Sequence, residues 1–134
     1  MTEISSWEKV LLLTRFALGK KACDLVVLDV RQHTSIADYF IICSGRSDRQ
    51  VQSIAQGIED NAADEGLRPY AAEGMQRGHW VLMDFSDVVV HIFYEPVREF
   101  YDLDGLWGHA QRAELPEPYN QLVDQFQIAD HALS

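Results

Sequence analysis

The stretch HWVLMDFSDVVVHIFY (residues 79–94) carries two carboxylates, a serine and a histidine within eight positions, Asp84 to His91. Asp84 and Asp87 could hold metal ions, and His91 could act as a general base. Upstream, Cys43 could supply a nucleophile. Each role needs a geometry. Two-metal chemistry requires carboxylates converging on ions about 3.5–4 Å apart, whereas Asp84 and Asp87 straddle a turn. Cys43 lies in the apolar run DYFIICS (38–44) with no activating neighbour in sequence, the setting of a buried structural thiol. The histidines His33, His79, His91, His109 and His131 lack any paired metal-ligand spacing. The chemistry-capable residues are therefore expected to be contacts, with no catalytic residue, metal or cofactor.

The segment SGRS (44–47) raises a second chemistry. A glycine between a strand and a helix lets backbone amides cradle a phosphate, and Ser44–Ser47 is the turn a nucleotide-binding or residual nucleotidyltransferase protein would use. No Walker lysine and no G-x-G-x-x-G accompanies it. A nucleotidyltransferase would also need two carboxylates one residue apart on the next strand, and RPYAAE (68–73) offers only Glu73. Ser47 with Gln50 reads instead as a capping box.

These residues must be positioned by regular elements. Ser5 and Glu8 cap a helix through WEKVLLLTRFAL that Gly19 is expected to end. DLVVLDV (24–30) and DYFIICS (38–44) have strand composition. After Ser47, the residues Val51, Ile54, Ala55, Ile58 and Ala62 recur at helical spacing up to Gly66. RPYAAE is a weaker strand, and residues 79–94 make two more. Pro96 opens a helix with Val97, Phe100, Leu103 and Trp107 on its apolar face. The order α-β-β-α-β-β-β-α predicts an α/β fold: a mixed five-stranded sheet with helices mainly on one face. Residues 1–108 form this domain. Residues 109–134 form an acidic extension, a proline-containing linker and then a helix over 121–133 with Leu122, Phe126 and Ala129 on one side.

With Ser86-Asp87 as a two-residue turn, the pairs Phe85–Val88, Met83–Val90 and Val81–Ile92 share one face of the hairpin. That face belongs against the helices. The other carries Trp80–Phe93, Leu82–His91 and Asp84–Val89. It is not a solvated face, and large aromatics flanked by an acid and a histidine match an interface hot spot. The competing expectation is that the 119–133 helix folds back over it.

Composition sets the class. A chain of 134 residues, 47% hydrophobic and 24% charged, forms one globular domain able to bury a core without disulfides. No apolar run approaches the roughly 18 residues of a membrane span. The N-terminal MTEISSWEKV resembles neither a secretory signal nor an Arg-rich transit peptide. Cys23 and Cys43 are expected to be free buried thiols, and the protein cytoplasmic. Net charge is −10; residues 1–50 are near balance, while 95–134 hold eight acids and two bases. Such a chain repels phosphate and suits a basic protein partner.

Three segments carry a specific resemblance: LDVRQHTSIADYFIICSGRSDRQVQSIA, EGMQRGHWVLMDFSDVVVHIF and REFYDLDGLW. Over about residues 5–107 they closely resemble the ribosomal silencing factor family, also called Iojap-like. The resemblance implies a nucleotidyltransferase-like fold without its catalytic carboxylates. It also implies binding to large-subunit ribosomal protein fourteen, a basic protein on the intersubunit face. Bound there, the factor would block subunit joining and repress translation when nutrients are limiting. Trp80 matches the aromatic opening the family's W-hydrophobic-x-x-D strand and is the expected anchor. Asp84 and Asp87 would face the partner's Lys and Arg side chains, with Leu82, His91, Phe93 and Tyr101 completing the surface. Tyr39 and Arg49 also fall in family segments, where sheet packing and helix surface explain them equally well. Ser86 stands where the family usually has glycine, and the 109–134 extension could cover or enlarge the face. A homodimer of the free protein through the same aromatic face is the third expectation, beside the assembly blocker and the nucleotide binder.

Overall fold

A computed structural model describes residues 4–128. The predicted order of elements is present, with one strand more than expected and one helix split in two. Helix α1 (Ser6–Gly19) starts where Ser5 Oγ accepts from the Glu8 amide at 3.1 Å. It ends at Gly19, as expected, though the left-handed exit is made by Lys21 (φ 61°) and not by the glycine. Strands β1 (Cys23–Asp29) and β2 (Tyr39–Gly45) pair antiparallel, and α2 (Asp48–Asp64) follows. Its buried face is the predicted one: Val51, Ile54, Ala55, Ile58 and Ala62. Strand β3 (Ala71–Glu73) flanks the hairpin of β4 (Trp80–Asp84) and β5 (Val88–Tyr94). Two short helices, α3 (Glu95–Tyr101) and α4 (Leu103–Leu106), precede strand β6 (Gln111–Arg112) and helix α5 (Tyr119–Gln125).

The mixed sheet runs β3-β4-β5-β2-β1-β6. Its centre is the parallel pair β2–β5, from Tyr39↔Val88 to Gly45↔Tyr94. Both strands are buried almost throughout, which is why FIIC and VVVHIF read as continuous apolar runs rather than alternations. Five strands were expected; the sixth comes from polar Gln111–Arg112, which pairs with Leu28 and Asp29. No strand pattern marks those two residues. The open edge of β1 recruits their backbone.

Two apolar clusters lie on the two faces of the sheet. The larger packs α1 and α2 on Val27, Ile41, Cys43, Val81, Met83, Val90 and Ile92. Helix α5 joins that cluster through Tyr119, Leu122 and Val123, and Phe126 follows. The Asp24 amide donates to Phe126 O at 3.0 Å. Helix α5 and Phe126 therefore pack beside α1 and β1, and not over Trp80. Ala129 and the rest of the predicted 121–133 helix lie outside the described residues. The smaller cluster, Leu28, Phe40, Ile42, Val89 and Phe93, is covered by Val97, Leu103 and Trp107 of the α3–α4 segment. Helices thus lie mainly on one face, with only two short ones on the other.

Candidate functional site

The hairpin register is the one the sequence predicts: Trp80↔Phe93, Leu82↔His91 and Asp84↔Val89. Ser86 sits in the turn with φ 79°, a positive value that residues with a side chain seldom adopt. No glycine is required, because the Asp84 carboxylate accepts from the Ser86 amide at 2.8 Å and Phe85 N donates to Val88 O at 2.9 Å.

Trp80 is half-buried and held on three sides. Its indole N–H donates to His91 Nδ1 at 3.2 Å, its ring lies 4.8 Å from Phe93, and Tyr101 stands 5.0 Å away. Because Nδ1 accepts, His91 is neutral with its proton on Nε2. Burial disfavours the charged ring and lowers its pKa to about 4. Phe40 meets the ring edge-on at 5.3 Å. A shallow cavity of about 340 Å³ opens beside the indole, lined by Gly74, Arg77, His79, Trp80, Val97 and Tyr101.

Three residues expected on this surface are placed differently. Phe93 is fully buried and His91 only 6% exposed, because α3–α4 closes over their end of the sheet. They form the floor that orients Trp80 and offer little surface of their own. Asp87 leaves the face altogether. The turn directs it toward α1, where it takes hydrogen bonds from Lys9 Nζ at 2.5 Å and Ser6 Oγ at 2.6 Å. Burial raises its pKa, but those hydrogen bonds and the Lys9 charge outweigh that and hold it below the usual carboxylate value. The Asp87 carbonyl also accepts from the Asp38 and Tyr39 amides. Trp80, Leu82 and Asp84 remain half-buried on the surface beside exposed Tyr101. Tyr39 is buried against Trp7 and under the Arg31 guanidinium, and Arg49 is an exposed residue of α2's first turn.

Sequence reasoning missed Phe100. It was expected among the buried residues of one helix, yet it is 81% exposed, and Leu106 is 71% exposed. The helix breaks at Asp102, whose φ is 48° and whose carboxylate caps α4 at the Gly105 amide. A Cβ at Gly105 would collide with that carboxylate. The Asp-Leu-Asp-Gly run was the available signal for the break.

The Ser44–Ser47 turn is occupied by its own contacts. Ser44 is buried and accepts from Arg98 Nη1 at 2.8 Å. Ser47 caps α2, while the Arg46 amide donates to Gln50 Oε1 at 2.6 Å. Gly45 is where α2 comes closest to the strand, and a Cβ there would meet Val51 at 2.9 Å. Cys43 is buried, which pushes its thiol up to about 12. Among the described residues no group of three His, Cys, Asp or Glu could hold a metal, and no helix is long and apolar enough to cross a membrane.

Comparison with known proteins places this surface in context. A family model described as "Ribosomal silencing factor during starvation" matches residues 3–132. The ribosomal silencing factor of Bacillus subtilis is 45% identical over 102 residues, covering 76% of this chain and 86% of that protein. That of Halalkalibacterium halodurans is 39% identical over 112 residues, 84% and 96% of the two chains. A crystal structure of a Chromobacterium violaceum protein superposes with a TM-score of 0.77 at 30% identity, covering 88% of this chain and 99% of that one.

Proposed function

We propose, because this chain belongs to the ribosomal silencing factor family, that it regulates translation, not as an enzyme but by docking on the large ribosomal subunit. Its partner there is large-subunit ribosomal protein fourteen, and occupancy of the intersubunit face sterically blocks joining of the small subunit. Translation would fall accordingly when nutrients are limiting, in the cytoplasm where the ribosomes work. The observation that carries this reading is Trp80: a large aromatic, half-exposed, fixed by His91 and Phe93, and next to exposed Tyr101. A pre-oriented tryptophan loses little freedom on binding and is the commonest kind of interface anchor. The chain's net charge of −10 suits a basic ribosomal protein and opposes direct RNA binding. Leu82 and Asp84 extend the surface along β4. In the free protein the same apolar surface would pair with a second copy, and such a dimer must dissociate before docking.

Sedimentation with separated ribosomal subunits tests the proposal. The wild type should travel with the large subunit and suppress formation of the full ribosome, while Trp80→Ala does neither. Truncating a desolvated tryptophan anchor costs on the order of 2–4 kcal/mol of binding. Unchanged co-sedimentation of a folded Trp80→Ala protein would remove the docking role from this face.

A further inference from the structure

The docking surface proposed above does not stop at the sheet. Tyr101, 5.0 Å from Trp80, meets Phe100 edge-on at 5.2 Å, so the aromatic row runs Trp80–Tyr101–Phe100 from β4 onto α3. Phe100 is 81% exposed even with its edge-on contact to Tyr101, an unusual cost for a phenylalanine in the free chain. Val97 and Tyr101, one turn apart on α3, both line the cavity beside Trp80, and Phe100 does not share that lining.

The charges around Phe100 define what it fits. The segment 95–106 holds Glu95, Glu99, Asp102 and Asp104 against a single cation, Arg98. Arg98 is committed: it binds the Asp104 carboxylate through two nitrogens at 3.0 and 2.8 Å and also reaches Asp24 O and Ser44 Oγ. Glu99 and Asp102, either side of the Phe100–Tyr101 pair, are both exposed. An apolar ring bracketed by carboxylates suits a Lys or Arg side chain, whose alkyl stem lies on the ring while its charge meets the acids. Nucleic acid is disfavoured, since its phosphates would approach the same carboxylates.

We infer that Phe100, with Glu99 and Asp102, forms a second contact of the docking surface, seating a basic side chain of the protein partner beside the Trp80 anchor. This inference rests on the docking reading of Trp80. Its test measures binding of the full chain to purified large subunits and to isolated ribosomal protein fourteen, at two salt concentrations. The proteins compared are the wild type, Trp80→Ala, Phe100→Ala and Glu99→Gln/Asp102→Asn. The last pair keeps the α4 cap, because Asn tolerates the left-handed conformation and still accepts from the Gly105 amide. Phe100→Ala should weaken binding to both probes by about tenfold, the loss typical of a secondary interface contact. The double variant should bind a few-fold more weakly, with a shallower salt dependence. If only Trp80→Ala loses affinity, the inference fails and the docking reading stands. If Phe100→Ala weakens binding to subunits but not to the isolated protein, Phe100 meets another ribosomal component and the inference fails. If the wild type binds neither probe, or Trp80→Ala binds as well as the wild type, both fall.

Discussion

The pivotal residue pair is Trp80 and His91. The indole N–H needs a buried acceptor, and a neutral imidazole supplies one at 3.2 Å. Protonation would turn that acceptor into a donor and place a charge in the apolar floor. The consequence for stability has a definite sign. The unfolded chain takes up the proton near the ordinary histidine pKa of about 6.5, while the folded chain does so only near pH 4. The His91 contribution is thus complete above the unfolded value, is lost as pH falls from about 6.5 toward 4, and levels off below. The loss is on the order of 3 kcal/mol. Thermal midpoints of wild type and His91→Phe at pH 7.5 and pH 5 check this. The wild type should lose more stability on acidification, and equal losses would show that His91 does not drive the effect. Once pH falls through the ordinary carboxylate range, the unfolded chain protonates Asp87 before the folded chain does, and both proteins should weaken together.

Among the elements, the β4–β5 turn and α1 are coupled by one carboxylate. Asp87 joins Lys9 and Ser6 of α1 through its side chain, and Asp38 and Tyr39 at the start of β2 through its carbonyl. Lys9 also donates to Phe85 O at 3.2 Å. A residue that the family resemblance assigned to a partner's Lys or Arg is thus paired with a Lys of its own chain. Asp87→Ala leaves the partly buried Lys9 ammonium short of its counter-charge and should cost about 1–3 kcal/mol in urea-induced unfolding. Ribosome binding by the folded fraction should be unchanged, which separates a stabilising role from a docking role. The Ser86–Asp87 corner also explains why a missing glycine does not disturb the register. The Asp84 carboxylate fixes the turn, and the cross-strand pairs on both faces enforce the same alignment.

At the scale of the molecule, one sheet serves two purposes. Its larger cluster, under α1, α2 and α5, carries the stability; its other face, under two short helices, leaves the β4 end half-exposed, where the proposed docking would take place. Residues 111–126 belong energetically to the first purpose. Strand β6 covers the edge of β1, and Leu115, Tyr119, Leu122, Val123 and Phe126 pack on the main cluster. Deleting 109–134 should lower stability by on the order of 3 kcal/mol, from several half-buried apolar side chains at about 1 kcal/mol each. The truncated protein should unfold at lower temperature in calorimetry yet still bind large subunits below its midpoint. Binding gained on truncation would instead mean that the extension masks the docking face.

Local physics made much of this legible in the sequence. The Ser5 and Ser47 caps, the α2 stripe and the Trp80↔Phe93 register follow from side-chain periods and capping chemistry within a few residues of each other. The family was legible through a resemblance carried by long ordered segments, and the hairpin alternation put Trp80, Leu82 and Asp84 on one face, where the structure leaves them half-buried. What the pattern could not decide was which apolar residues another part of the chain would cover. His91 and Phe93 share the face of Trp80, but α3–α4 buries them and leaves Trp80 half-exposed beside Tyr101. Phe100 follows the helical period, but α3 ends at Tyr101, so the stripe it was read into is split before Leu103 and Trp107. Gln111–Arg112 became a strand because an edge was vacant. An apolar face is a property of its own segment, whereas burial needs a second surface delivered from elsewhere in the chain, and only the tertiary structure determines where that surface lands.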